Sequence, residues 1–413
     1  MKRLLAVSWE MPPMYGPRAS QVSATLGELA ARGWTPTVVC LAPRRGGPHW
    51  PDRIPANTPR GVELTRVASP EEWLAWRAVA RVAPLVRRFP DEKRVWVTRA
   101  VAAARREAAR HAFSGVITFA QPWSDHLVGL RLRQAERLPW VAHFSDPWVD
   151  SPHAVGPQWQ RRVSRDMERA VIEQADAVVF VTSETADLVM RKYPGAWRRK
   201  VAVVPHGFDP RTIDGGTTTR PPGPMRLVYT GRFYHGLRTP SALLRALASL
   251  HRQKSLAGTI ELVFMGPGVD AFRRDAAALR IDDLVRFEPR RPRDDAARVA
   301  ADADVLVVID APSVAPSVFL PSKLVDYLAF RKPILGLTPT PGASAGLLTR
   351  LGFPAVAPDD EGAIAKTLAA LVERWRAGTL EVPPTFDEVA AEFDIRRTTA
   401  ELDAILARTF NAA

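Results

Sequence analysis

Apolar, β-branched runs recur along the chain at short intervals: "RLLAVSW", "TPTVVCLA", "VELTRVA", "SGVITFA", "PWVAHFS", "DAVVFVTS" and "KVAVVPHG". Between them lie segments whose apolar residues follow helical spacing, such as "SQVSATLGELAARG". Short runs rich in Val and Ile read as strands, and the longer period between them reads as helices. Near-continuous hydrophobicity inside each run implies burial on both faces, as in a parallel sheet with helices on either side. The pattern predicts a doubly wound α/β domain over residues 1–205. A second series, "MRLVYTG", "TIELVFMG", "LVRFEP", "ADVLVVID", "KPILGLT" and "FPAVAP", predicts another such domain over residues 226–394. Residues 206–225, "HGFDPRTIDGGTTTRPPGPM", are rich in Gly, Pro and Thr without an apolar period, and read as the linker. The expectation is two Rossmann-like, parallel-sheet domains facing a cleft, with functional residues in the loops that follow the strands.

Composition narrows the class. At 413 residues and 46% hydrophobic content, two cores can be filled. No apolar run approaches the roughly 18 to 20 uncharged residues that cross a bilayer, and "MKRLLAVSWEMPP" meets proline too early for a signal peptide, so a cytoplasmic location is expected. The single cysteine, Cys40, lies in an apolar run and reads as a core residue. The net charge of +13 comes mainly from arginine and raises anionic partners, although a GC-rich genome accounts for an arginine-rich surface equally well.

The loops after the strands carry the candidate chemistry. "EMPPMYGPRASQ" leads the first strand into a helix, and Gly16 there leaves room for a ligand near free helical N–H groups. A turn held by its prolines accounts for the same residues. "LVYTGRFYHGLR" places Arg232 and Arg238 after the first strand of the second series, before a helix expected to start near Thr239 and Pro240. Two guanidiniums there suit a diphosphate, through charge-assisted and often bidentate hydrogen bonds. Surface arginines paired with carboxylates are the competing explanation. In "SVFLPSKLVDYLAFRKPI", Lys323 and Asp326 stand three apart near the start of a helix, where a carboxylate can accept from two vicinal ribose hydroxyls and the lysine can face phosphate. A plain surface ion pair has the same spacing.

Taken in order, these motifs resemble those of the GT-B glycosyltransferases, specifically glycosyltransferase family 4 with its bacterial lipopolysaccharide and exopolysaccharide transferases. The resemblance runs over nearly the whole chain: "PPMYGPRASQ…LAARGWTPTVV", "PWSDHLVGLRLR…LPWVAHFSDPW", "KVAVVPHGFDP", "YTGRFYHGLR", "FMGPGVD" and "PSKLVDYLAFRKPIL". It implies the GT-B fold. It implies that Arg232 and Arg238 contact the donor pyrophosphate, the second standing where the family usually has lysine. Asp326 matches the carboxylate that holds the donor ribose, usually a glutamate, and the same motif brings Ser322 and Lys323 to the donor. Gly16 matches the loop near donor phosphate and acceptor, Gly266 and Gly268 the loop the nucleotide approaches, and "FEPRR" with Arg290 the place of the base. Val318 stands where the wider family has a second glutamate, and His206 where it has asparagine.

The reaction implied is retaining, metal-independent transfer of a sugar from a nucleotide-sugar donor to a glycan or lipid-linked saccharide, in bacterial cell-surface polysaccharide or glycolipid synthesis. No cofactor is implied beyond the nucleotide-diphosphate sugar as co-substrate, and no nucleic-acid partner. The triplet Asp302-Ala303-Asp304 enters a strand instead of following one, which places it poorly for a metal. Ala120 occupies the position where many family members end a strand with histidine, leaving His126 and Asp146 as catalytic candidates and His143, His206 and His235 behind them. A space-filling helix residue and a turn carboxylate are the alternatives for the first two. Residues 73–88 set Trp73 and Trp76 at helical spacing with a stripe of arginines, which suits peripheral contact with an anionic membrane or, equally, an ordinary core-facing helix. The C-terminal segment about 395–413 resembles the family's last helix, which crosses back to the first domain. Alternative readings are a GT-B sugar-nucleotide epimerase or hydrolase and a non-catalytic sugar-nucleotide-binding protein.

Overall fold

The structure is a computed structural model describing all residues except 1, 15, 46–58, 73–89, 153–156, 214–221, 235, 314–315 and 412–413. The tryptophan and arginine stretch 73–88, His235 and part of the linker therefore lie outside the described residues. The chain divides into two compact units, Met1–Gly207 with Ile395–Ala413, and Phe208–Asp394.

The first unit holds a seven-stranded sheet in the order β3-β2-β1-β4-β5-β6-β7. Its strands are β1 Lys2–Val7, β2 Trp34–Leu41, β3 Glu63–Val67, β4 Gly115–Ala120, β5 Trp140–Phe144, β6 Ala177–Phe180 and β7 Val201–Val203. All pairings are parallel. Each hydrophobic run of the sequence becomes one strand because alternate residues serve opposite layers. Leu4, Ala6, Val38, Cys40 and Ile117 pack with the helices Pro17–Ala31 and Ile395–Asn411, while Leu5, Val7, Val39 and Val116 pack with Arg94–Arg110, Ser124–Glu136 and Gln158–Gln174. Cys40 is fully buried, and burial pushes its thiol up to about 12. The last helix is fixed to the first unit by Leu402, Ile405 and Leu406 in that core, by the Trp34 indole donating to Asp403 at 2.8 Å, and by the Phe410 ring seated where Gly115 has no side chain.

The second unit holds a six-stranded parallel sheet, β10-β9-β8-β11-β12-β13. Its strands are β8 Met225–Thr230, β9 Ile260–Met265, β10 Val285–Glu288, β11 Val305–Ile309, β12 Ile334–Leu337 and β13 Ala355–Val356. Leu227 and Tyr229 face the helices Ser241–Gln253 and Glu361–Arg376, and Val228, Leu306 and Val308 face Ser322–Leu328, Ala343–Arg350 and Phe386–Ala391. The helix expected near Thr239 begins at Ser241, after Tyr234 and Arg238 pair through two main-chain hydrogen bonds that lengthen the preceding loop. Among the described residues, no helix is long and apolar enough to cross a membrane.

Candidate functional site

In each sheet the strand order reverses at one place, between β1 and β4 and between β8 and β11. In open α/β sheets the crevice at that reversal, beyond the carboxyl ends of the strands, is where ligands bind. In the second unit Gly231 follows β8, Gly266 follows β9 and Asp310 follows β11. The Gly231 N–H donates to the Met265 carbonyl at 2.8 Å, and the Gly266 N–H to the Glu288 carbonyl at 3.1 Å. Gly266 has φ +154°, and a Cβ there would collide with the Gly231 carbonyl oxygen. Two strand-end backbones thus touch directly, which only glycine permits.

The space left at Gly231 is filled by Lys323. A Cβ on Gly231 would come within 2.5 Å of the lysine Nζ, which rests 3.8 Å from the centroid of the Tyr229 ring. This ammonium is buried and has no hydrogen-bond partner among the described residues. Burial, and then the neighbouring Arg238 cation, hold its pKa well below the usual lysine range. Arg238 donates to the Arg232 carbonyl at 2.9 Å and lies 4.9 Å from the Tyr234 ring centroid, with its Nε buried and without a hydrogen-bond partner among the described residues. The Arg232 side chain is exposed, and its carbonyl also accepts from the Tyr229 hydroxyl at 3.1 Å. The two arginines are therefore joined through one main-chain oxygen, with Arg232 exposed and Arg238 half-buried.

Asp310 completes this group. It is 7% exposed, and its Oδ2 is buried without a hydrogen-bond partner among the described residues. Burial raises its pKa, against the neighbouring Ser344 and Thr338 hydroxyls and the charges of Arg238 and Lys323.

The remaining residues expected at the donor are spread around the same end of the sheet. Lys323 and Asp326, on the helix Ser322–Leu328, line a cavity of about 100 Å³ with Phe208, Asp209, Thr230 and Tyr327. Ser322 is the first residue of that helix and is half-buried. Gly268, with φ +74°, precedes a single turn over Val269–Phe272. Arg290 is exposed, two residues beyond β10. Asp304 lies at the opposite end of the sheet, where its carboxylate accepts from the Arg226 N–H at 2.7 Å and so ties the start of β8.

In the first unit, Gly16 precedes the helix Pro17–Ala31 in extended backbone, and a Cβ on it would stand 2.6 Å from the Glu10 carboxylate. Its lack of a side chain makes room for the protein's own acid. Burial raises the pKa of that acid. Arg18, 8% exposed, reaches His143 Nδ1 at 3.3 Å, and burial lowers its pKa to about 10 despite nearby Asp146, Asp125 and Glu10. Asp146, just beyond β5, accepts from Gln121 at 3.1 Å and from the Ser145 hydroxyl at 3.1 Å. His206 lies with its ring 6.1 Å from that of His143.

The expectation that His126 handles an acceptor hydroxyl is corrected by its burial. Its ring has 0% exposure, packs 4.3 Å from Phe144 and is hydrogen bonded through Nδ1 to the Thr118 hydroxyl at 2.7 Å. Burial holds its pKa well below the ordinary histidine value, so it is a neutral core residue beneath the sheet end. Sequence reading overlooked Arg18 and Asp310. Asp310 directly follows the strand "VLVVI", so the strand-end rule already pointed to it, whereas Arg18 projects from within a helix and carries no such signal.

Residues 20–212 match the family model Glycosyltransferase Family 4, and residues 224–374 match Glycosyl transferases group 1. A D-inositol 3-phosphate glycosyltransferase of Corynebacterium kroppenstedtii is 27% identical over 225 residues, 47% of this chain and 49% of that protein. The match thus spans about half the length of that relative. Among solved structures, sucrose-phosphate synthase from Thermosynechococcus elongatus has a TM-score of 0.71 at 17% identity, with 100% of both chains covered. Anabaena HepE in complex with UDP-glucose has a TM-score of 0.67 at 14% identity, again with 100% of each chain covered. WaaG, a glycosyltransferase involved in lipopolysaccharide biosynthesis, has a TM-score of 0.59 at 15% identity and 99% coverage of each chain.

Proposed function

We propose, on the premise that the chain is a glycosyltransferase of GT-B fold in both of its matched halves, that it moves a sugar from a nucleotide-diphosphate donor to an acceptor hydroxyl. The observation that carries the donor site is the buried, unpartnered Lys323 ammonium beside Arg238 at the strand-order reversal of the second sheet. A cation held dry and next to another cation is costly alone and gains most from an anion. As the glycosidic bond breaks, negative charge gathers on the departing diphosphate. Cations already stripped of water stabilise that charge with little reorganisation. Lys323 supplies a point charge and Arg238 a planar fork, with Arg232 at the exposed side of the loop. These side chains take the neutralising role, and the transfer runs without a metal. Asp326, in the same cavity as Lys323, accepts from the donor ribose hydroxyls.

On the first unit, Asp146 orients the acceptor, a glycan or lipid-linked saccharide, and the transfer retains anomeric configuration as the family resemblance implies. Synthesis of a bacterial surface polysaccharide or glycolipid at the inner face of the membrane fits such an acceptor. The UDP-glucose carried by HepE supports a nucleotide-sugar donor here.

A thermal-shift panel of UDP, GDP, ADP and TDP, each alone and as its sugar conjugate, tests the reading. At least one is expected to raise the melting temperature, and Lys323→Ala or Arg238→Ala should each weaken that nucleotide on the order of tenfold or more, the range for hydrogen bonds to charged groups. No response to any nucleotide overturns the donor site. Free sugar released at the full rate without acceptor overturns the transfer.

A further inference from the structure

We propose that Asp310 reads a hydroxyl of the donor's sugar, with Lys323 as its complement. This rests on the donor site proposed above and names which part of the donor each residue meets. Asp310 stands at the reversal point of the sheet. The β11–β8 register pairs Val305 with Leu227 and Leu306 with Val228, and continued along both strands it sets Ile309 level with Gly231. Asp310 and Arg232 follow as the next residues.

Three polar atoms in this crevice are buried without hydrogen-bond partners among the described residues, the Asp310 Oδ2, the Lys323 Nζ and the Arg238 Nε, and the carboxylate oxygen is the one acceptor among them. The groups sense each other, since Lys323 is among the charges acting on Asp310 and Asp310 among those acting on Lys323. They are not hydrogen bonded to one another. An ionised carboxylate only accepts and an ammonium only donates, so the atom that satisfies both must itself donate and accept. A phosphate oxygen only accepts; it suits Lys323 and Arg238 but leaves Asp310 bare and repelled. A carbohydrate hydroxyl does both, giving its proton to Asp310 Oδ2 and taking a hydrogen bond from Lys323. Position 318 is a valine, 7% exposed, and offers no carboxylate of its own.

The test uses the full chain and calorimetric titration with the responding nucleotide sugar of the panel, UDP-glucose in the first instance, against its diphosphate and its 2-, 3-, 4- and 6-deoxy analogues. One deoxy analogue should bind the wild type on the order of tenfold more weakly than the parent. Asp310→Asn should bind the parent and that analogue alike, with its affinity for the bare diphosphate within about twofold of wild type. If Asp310→Asn does not fold, Asp310→Glu keeps the charge but displaces the oxygen, and the same loss of discrimination is expected. Equal binding of all deoxy analogues, or undiminished discrimination in the variant, overturns the role of Asp310 and leaves the donor site standing. A wild type that binds no nucleotide diphosphate overturns the donor site itself.

Discussion

At the scale of single residues, the second unit depends on positions where a side chain is absent or unpaired. Gly266 lies against the Gly231 carbonyl in a backbone region that other residues avoid. Gly266→Ala is expected to destabilise the second unit by about 3 kcal/mol or more, through strain and displacement of the Gly231 loop. Calorimetry of the unfolding transition checks this, and a wild-type profile would contradict it. In the first unit, His126 is buried and neutral. Its unfolded form takes a proton near pH 6.5 while the folded form does not, so wild-type stability from this residue falls as pH drops through that value. Relative to His126→Asn, the wild type should lose about 2 kcal/mol between pH 7 and pH 5. Urea unfolding at the two pH values measures the difference, and parallel changes in both proteins would exclude a neutral buried histidine.

At the scale of elements, the strands were legible because a strand buried on both faces reads as an unbroken apolar run, and each such run of the sequence became one parallel strand. The glycines at their ends were legible too, since strand ends are where a missing side chain matters. Helix starts were less so. Pro240 was expected as the first helical residue and stands instead as the cap, with the helix beginning at Ser241. The residues whose surroundings the letters left open share a cause. His126 has the same letters around it whether its ring points to solvent or to Phe144, and burial comes from packing across strands remote in sequence. Lys323 was chosen for its place beside a helix start, but its fit into the space of Gly231 requires β8 and a helix about ninety positions later to meet. Arg18 escaped because its neighbours His143 and Asp146 belong to a different strand end.

At the scale of the whole molecule, the first unit is discontinuous, closed by a helix from the end of the chain. Leu402, Ile405 and Leu406 enter its core, and each buried aliphatic side chain contributes about 1.5–3 kcal/mol. Deletion of residues 395–413 is therefore expected to lower the melting of the first unit sharply. The second unit, Phe208–Asp394, keeps its own core and should keep its nucleotide-induced thermal shift. Loss of that shift in the truncated chain would show that the second unit does not fold independently.

The same discontinuity has a consequence in time. A ribosome emits a chain from its N-terminus, so the seven-stranded sheet emerges before the helix that covers it. Between them comes the whole of Phe208–Asp394, which at about 5–20 residues per second takes roughly 10–40 seconds to make. During that interval Leu4, Ala6 and Phe119 lack part of their cover, and at its end the later unit has every strand and helix it needs before Ile395 has been added. The half made second is thus positioned to finish first, and a nascent chain stalled before Ile395 would present an open apolar sheet face to chaperones.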